Sequence, residues 1–262
     1  ARTAMALNEV LGIKGPFNIQ MLYKDNTVYV VELNLRASRS MPFTSKVTGY
    51  NLMKAAVEAS LEGRITDLVE EGKFNLLQPT WYGVKSPQFS WARLRGAYPH
   101  LGPEMRSVGE VATLAETYEE ALLTSWLSVH GNDTPGENQL TIVYNPSNKN
   151  LVELEHTRRL LEQEGYKTIT IKGMEVGDTR SVDEREALEL ITKGRIGMII
   201  TTGYTPEKDY KIRRQAADLA IPLILNHKLA LELAKTIKTQ ETPKPKDMKS
   251  YWKNWKNITK AI

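Results

Sequence analysis

The feature that most constrains the fold is a change of rhythm near residue 140. From there the chain alternates short apolar strand-like runs with stretches of helical period. The strand-like runs are LTIVYN (140–145), KTITIKG (167–173), IGMIITTG (196–203) and IPLILN (221–226). Between and after them come NLVELEHTRRLLEQEG (150–165), VDEREALELITKG (182–194), IRRQAADLA (212–220) and LALELAKTIK (229–238). Strands joined by helical crossovers pair in parallel, so this half is expected to be a parallel α/β sheet with helices on its faces. On 150–165 the spacing points Leu151, Leu154, Leu160 and Leu161 at the core and leaves His156, Arg158 and Arg159 on a solvated face.

The preceding half is organised differently. NDTPGENQ (132–139) is polar, carries Pro and Gly, and marks the boundary. Upstream, residues 1–12 read as a helix ending at Gly12. FNIQMLY (17–23) and VYVVELNLR (28–36) read as strands around the turn KDNT. A helix is expected over 48–65, strands at TWYGVK (80–85) and GEVATLA (109–115), and a helix over 117–131. The expected division is 1–115, a helix and linker at 116–137, a parallel-sheet domain at 138–240 and a tail at 241–262.

Composition excludes several function classes. Of the 262 residues 41% are hydrophobic, enough for a sizeable core, and none is cysteine. That removes disulfides and thiolate chemistry and fits a reducing cytoplasm. No apolar run reaches the roughly 20 residues of a membrane helix, and the N-terminus lacks a secretory signal core. The first residue is not Met, and the opening helix reads as cut into midway, which points to a segment of a longer polypeptide. The net charge of +4 is mild and concentrated in the tail, so a broad nucleic-acid surface is not expected. Tail residues Tyr251, Trp252 and Trp255 interleave with Lys. Docking of a helix or subunit is the simpler reading there, and stacking on single-stranded nucleic acid the other. The histidines at 100, 130, 156 and 227 show no metal-ligand spacing.

The stretch VYVVELNLRASRS (28–40) carries the chemistry. In an unbroken strand Val28, Val30, Glu32, Asn34 and Arg36 share a face. A hairpin closing with Lys24 opposite Val28 puts Gln20 opposite Glu32 and Asn18 opposite Asn34. That patch offers oxygen ligands suited to Mg²⁺, which keeps one or two carboxylates and fills its shell with water and phosphate. Arg36 and Arg39 are then planar donors for phosphate oxygens. A solvated strand face with a local Glu–Arg pair explains the same spacing, and both readings stand on the residues alone.

Longer motifs add a resemblance. IKGPFNIQ (13–20), ELNLRASRSMPFTSKVTGYNL (32–52) and VKSPQFSWARLRGAYPHLGPEMRSVGEV (84–111) resemble the carbamoyl-phosphate synthase large chain. The likeness is to the C-terminal part of its second ATP-grasp half, over roughly residues 1–115. This resemblance implies that Gln20, Glu32 and Asn34 hold Mg²⁺ or Mn²⁺ bridging the phosphates of ATP, with Gln20 and Glu32 also in the nucleotide site. It implies that Arg36 and Arg39 stabilise the phosphoryl groups, with Arg39 and Lys85 near the carbamate or carbamoyl-phosphate product. The implied reaction is attack of carbamate on the γ-phosphoryl of ATP, a ligase step serving arginine or pyrimidine synthesis. The implied partners are the rest of the large chain, a glutamine-hydrolysing small subunit and further copies of the chain. The upstream lid and adenine clamp do not precede Ala1 here, so the chain by itself is expected neither to turn over nor to bind ATP tightly.

The stretch DYKIRRQAADLAIPLILNHKLALELA (209–234), with IGMIITTG, resembles the methylglyoxal-synthase-like regulatory domain of such chains. That implies a small-molecule effector. The chain departs from the pattern at KTITIKGMEVGDTRSVDE (167–184), which lacks the family's Thr-x-Gly-Thr phosphate loop and the helix and strand after it. Lys172, Thr201, Thr202 and Asn226 sit at expected strand ends, where open α/β sheets bind ligands. The same residues also suit strand termination and helix capping. A stand-alone effector-binding or oligomerisation module without catalysis is the alternative to the ligase reading.

Overall fold

A computed structural model describes residues 2–48, 50–62, 81–90, 94–102, 106–203, 205–239, 243–244 and 246–247. Trp252 and Trp255, the end of the expected helix 48–65, and parts of the stretch 84–111 lie outside the described residues. The chain divides into two compact units, one within residues 1–82 and one spanning Gly83–Pro245.

In the first unit, α1 (Arg2–Leu11) is closed by Gly12, whose φ of 58° suits the left-handed residue after a helix. β1 (Asn18–Lys24) and β2 (Thr27–Asn34) form an antiparallel hairpin. Its turn is Asp25-Asn26, with φ of 49° and 60°, the pair of left-handed residues that a two-residue turn requires. The expected helix 48–65 is two helices, α2 (Met41–Thr48) and α3 (Leu52–Glu62). The break has a local cause. The Asn51 side chain accepts from Lys54 N at 3.0 Å, capping α3, and Ser45 Oγ accepts from Leu52 N at 3.2 Å. Both faces of the hairpin are open: Met21, Leu22, Tyr23, Tyr29 and Val31 are all exposed.

The second unit begins with β3 (Tyr82–Gln88) paired to β4 (Gly109–Ala115), then α4 (Tyr118–Ser128). Thr117 caps α4, accepting from Glu120 N at 3.2 Å. The remaining elements in order are β5 (Leu140–Val143), α5 (Leu151–Gln163), β6 (Lys167–Ile171), β7 (Ser181–Val182), α6 (Glu184–Thr192), β8 (Ile196–Ile200), α7 (Pro206–Asp218), β9 (Leu223–Ile224) and α8 (His227–Thr239). The five strands β5 to β9 form one sheet in the order β7-β6-β5-β8-β9, every pair parallel.

The strands are buried on both faces. Ile142, Ile169, Ile199 and Leu223 pack with Ala187, Ile191, Ile212 and Ala216 of α6 and α7. Val143, Met198, Ile200 and Ile224 pack with Trp126 of α4, Leu154 and Leu161 of α5 and Leu233 of α8. A three-layer α/β domain results, as the alternation demands.

The local differences have identifiable causes. β7, with two residues, is too short to make a pattern in the sequence; it is held by Thr170 N to Arg180 O at 2.9 Å and Lys172 N to Val182 O at 2.9 Å. α7 starts at Pro206 rather than 212, since Pro at a first helical position needs no hydrogen-bonded N–H. Arg158 is buried, 5% exposed, not solvated: its Nη1 bonds both oxygens of Glu162 at 2.7 Å. A Cβ on Gly177, at φ 68°, would lie 2.7 Å from Arg158 Nη2. Gly177→Ala is therefore expected to lower stability by about 1–2 kcal/mol, read from the urea midpoint. No helix among the described residues is long and apolar enough to cross a membrane.

Candidate functional site

The hairpin register decides what the first site holds. Lys24 pairs with Thr27, not Val28, because the tight turn uses only two residues. The register then shifts between Gln20 and Met21, with Val31 the extra residue on β2, which restores Gln20 opposite Glu32 and Asn18 opposite Asn34. The expected cross-strand patch is present, but by a different route. Because Met21 pairs with Val30 while Gln20 pairs with Glu32, the bulge puts Val30 and Glu32 on opposite faces. Glu32 and Asn34 thus share their face with Asn18, Gln20 and Tyr29, rather than with Val28 and Val30.

Within the patch Asn34 Nδ2 donates to Glu32 Oε1 at 2.8 Å. That bond uses the amide nitrogen and leaves the Asn34 oxygen as the acceptor for a further ligand. Glu32 and Gln20 are exposed and Asn34 is half-buried. One carboxylate and two side-chain amides on one face fit a hard divalent cation that takes its other ligands from water and phosphate. Among the described residues no cluster of three His, Cys, Asp or Glu offers a different metal site.

The arginines leave the strand. β2 ends at Asn34, and Arg36 N bonds Asn34 O at 2.9 Å, turning the chain. Arg36 is therefore not in register with Glu32 and Asn34 as an unbroken strand would have it; its Nη1 donates to Ala37 O at 3.2 Å. Arg39 is exposed in the turn leading into α2. Lys85 lies on β3 in the second unit, with its Nζ 2.6 Å from Glu110 Oε2 on β4.

At the carboxyl ends of the parallel strands, Thr201 and Thr202 are buried, and Thr201 N bonds Ile224 O at 2.9 Å. Gly203 has φ 77°, and a Cβ there would sit 2.9 Å from Ser147 Oγ. The turn after β8 thus needs its glycine. Asn226 Oδ1 accepts from Lys228 N at 2.9 Å and Leu229 N at 3.1 Å, so it caps α8. Lys172 is exposed where β6 ends. The strand order places the sheet's switch point between β5 and β8.

The sequence reading missed a buried polar chain nearby. Tyr144, at the end of β5, donates to Asp209 Oδ2 at 3.1 Å, and Arg213 Nε donates to Asp209 Oδ1 at 3.0 Å. Asp209 and Arg213 are one turn apart on α7, beside the core residues Ile212 and Ala216. That spacing was the available signal, hidden because the helix was expected to start after Asp209. Burial, reinforced by the neighbouring Asp209 charge, raises the Tyr144 hydroxyl well above the ordinary tyrosine range. The folded protein keeps this proton where the unfolded chain loses it, so stability falls as pH rises through the ordinary tyrosine pKa of about 10. Tyr144→Phe is expected to flatten that alkaline fall, measured as the urea midpoint against pH.

Comparison with known proteins places the chain. Residues 1–66 match the family described as Carbamoyl-phosphate synthase L chain, ATP binding domain. Over 96% of its length the chain is 53% identical to the carbamoyl phosphate synthase large chain of Hyperthermus butylicus, and over 94% it is 51% identical to that of Pyrococcus furiosus. The counterpart from Saccharolobus solfataricus is 45% identical over 86% of the chain. The chain belongs to the carbamoyl phosphate synthase large-chain family. It spans about a quarter of the length of these relatives, 24%, 23% and 21%.

Proposed function

We propose that the chain works as the metal- and phosphate-binding edge of a carbamoyl phosphate synthase large chain, joined to a regulatory or oligomerisation domain. The observation that carries this is the bulged register that brings Gln20, Glu32 and Asn34 onto one face, with Asn34 oriented by Glu32 at 2.8 Å. The match of residues 1–66 to an ATP-binding domain supports ATP as the nucleotide. Glu32, Asn34 and Gln20 would hold Mg²⁺ or Mn²⁺, which would supply positive charge to offset that of the phosphates. Arg36 and Arg39 would orient and neutralise the phosphoryl group as carbamate attacks it. Lys85 would act on the carbamoyl phosphate formed, exchanging its Glu110 partner for product. Catalysis of this kind is positioning and charge neutralisation.

The exposed apolar faces of the hairpin support completion of this sheet by the rest of a large chain. A glutamine-hydrolysing subunit, the cytoplasm, and arginine or pyrimidine synthesis complete the reading. Residues 1–115 belong to the ATP-grasp part and 138–240 to a methylglyoxal-synthase-like domain, with Lys172, Thr201, Thr202 and Asn226 at the place for an effector. Because Asn226 already caps α8, its contribution to a ligand would come through its amide nitrogen.

The test is a chimera in which this chain replaces the matching quarter of the Hyperthermus butylicus large chain. Carbamoyl phosphate formation is expected. Its absence from a folded chimera would count against the reading. The isolated chain is expected to bind ATP only weakly, checked by equilibrium dialysis.

A further inference from the structure

We propose that Arg213 is a positioning residue that makes the conformation of the turn at 95–100 depend on the carboxyl edge of the parallel sheet. The inference stands on the geometry of the second unit and does not require the ligase reading.

Arg213 is fully buried, with Asp209 as its charge partner at 3.0 Å. Such a pair gives little net stability compared with apolar packing, so its presence asks for a role in specifying structure. Its Nη1 donates to the carbonyls of Gly96 at 2.5 Å and Ala97 at 3.2 Å, and its guanidinium lies 5.9 Å from the centre of the Tyr98 ring. Tyr98 in turn stacks on His100 at 5.3 Å. One side chain thus holds the backbone and an aromatic ring of the same turn.

That turn is strained. Gly96 and Ala97 have φ of 70° and 45°, and for alanine the left-handed region costs about 1–2 kcal/mol. Ala97 is wholly buried, so the strain is enforced by its surroundings rather than relaxed into solvent.

The opposite end of the chain of bonds is at the sheet. Asp209 sits in the first turn of α7, its N–H bonded to Thr205 O at 3.3 Å, directly after the turn of Thr201 and Thr202. Its second oxygen is held by Tyr144, whose backbone N bonds Ile200 O at 3.1 Å at the end of β8. The path runs from the ends of β5 and β8, through Tyr144, Asp209 and Arg213, to the carbonyls of 96 and 97. A ligand that shifts the start of α7 would alter the donors offered to the strained turn.

Hydrogen exchange read by mass spectrometry tests this without any ligand. Tyr144→Phe removes one hydroxyl at the sheet end and leaves Asp209 and Arg213 in place. It is expected to raise exchange of the Ala97 and His100 amides about threefold to tenfold, with the β6 amides unchanged. In an Arg213→Lys background the same substitution is expected to have no further effect on 95–100, since the link is already cut. Unchanged exchange at 95–100 in Tyr144→Phe would overturn the proposal, as would a uniform rise that includes β6. If Arg213→Lys does not fold, the contrast between 95–100 and β6 in the single variant still decides.

Discussion

Asp209→Asn is expected to destabilise the second unit by about 3–5 kcal/mol, the cost of leaving a buried guanidinium without its counter-charge. The amide keeps the shape and one acceptor but not the charge, and Arg213 is wholly enclosed. Removing both partners together is expected to cost less. Asp209→Asn with Arg213→Met leaves no buried charge and keeps an acceptor for Tyr144, although the Gly96 and Ala97 carbonyls lose their bonds. Urea unfolding followed by Trp126, buried in this unit, reads both variants. A single substitution no worse than the exposed Arg185→Ala would contradict the account of the pair. Burial raises the Asp209 carboxyl despite Arg213, so the folded state holds that proton more firmly than the unfolded chain. The sign follows: the group costs stability as pH rises through the ordinary carboxylate range, and acidification relieves that cost.

In the active chimera, Glu32→Gln is expected to lower carbamoyl phosphate formation by at least about a hundredfold with the fold intact. Glu32 is exposed on a hairpin, so exchanging its charge removes no packing, and the loss falls on chemistry alone. Its Oε1 accepts from Asn34 Nδ2 at 2.8 Å, a bond that the glutamine amide oxygen can keep, so the substitution isolates the effect of the charge. Arg39→Ala is expected to be similarly severe. Arg36→Ala should be milder, because Arg36 Nη1 is turned back onto Ala37 O at 3.2 Å. A Glu32→Gln chimera that keeps full turnover would sink the site assignment.

Much of this was legible in the sequence, for physical reasons. The β5–α5–β6 and β8–α7–β9–α8 rhythm is written in burial: strands covered on both faces must be continuously apolar, as IGMII is. The patch of Gln20, Glu32 and Asn34 was legible because cross-strand pairing follows from the turn. Two errors, a turn one residue too long and an unseen bulge at Val31, cancelled in the register. Alternation failed where the chain leaves the strand at Asn34, since nothing local in NLRAS announces the bend that carries Arg36 away. The node of Tyr144, Asp209 and Arg213 was illegible because a buried ion pair looks, residue by residue, like an ordinary helix surface. Arg158 was misread for the same reason.

The most direct test of the central claim counts metal ions. The Mn²⁺ bound in the presence of ATP can be measured for the chimera by electron paramagnetic resonance of the free ion. If Gln20, Glu32 and Asn34 hold the cation, Glu32→Gln combined with Gln20→Ala will lower the number of tightly bound ions per chain relative to the unsubstituted chimera. An unchanged stoichiometry and affinity in the folded double variant would mean that the metal lies elsewhere and that this strand face is not the site.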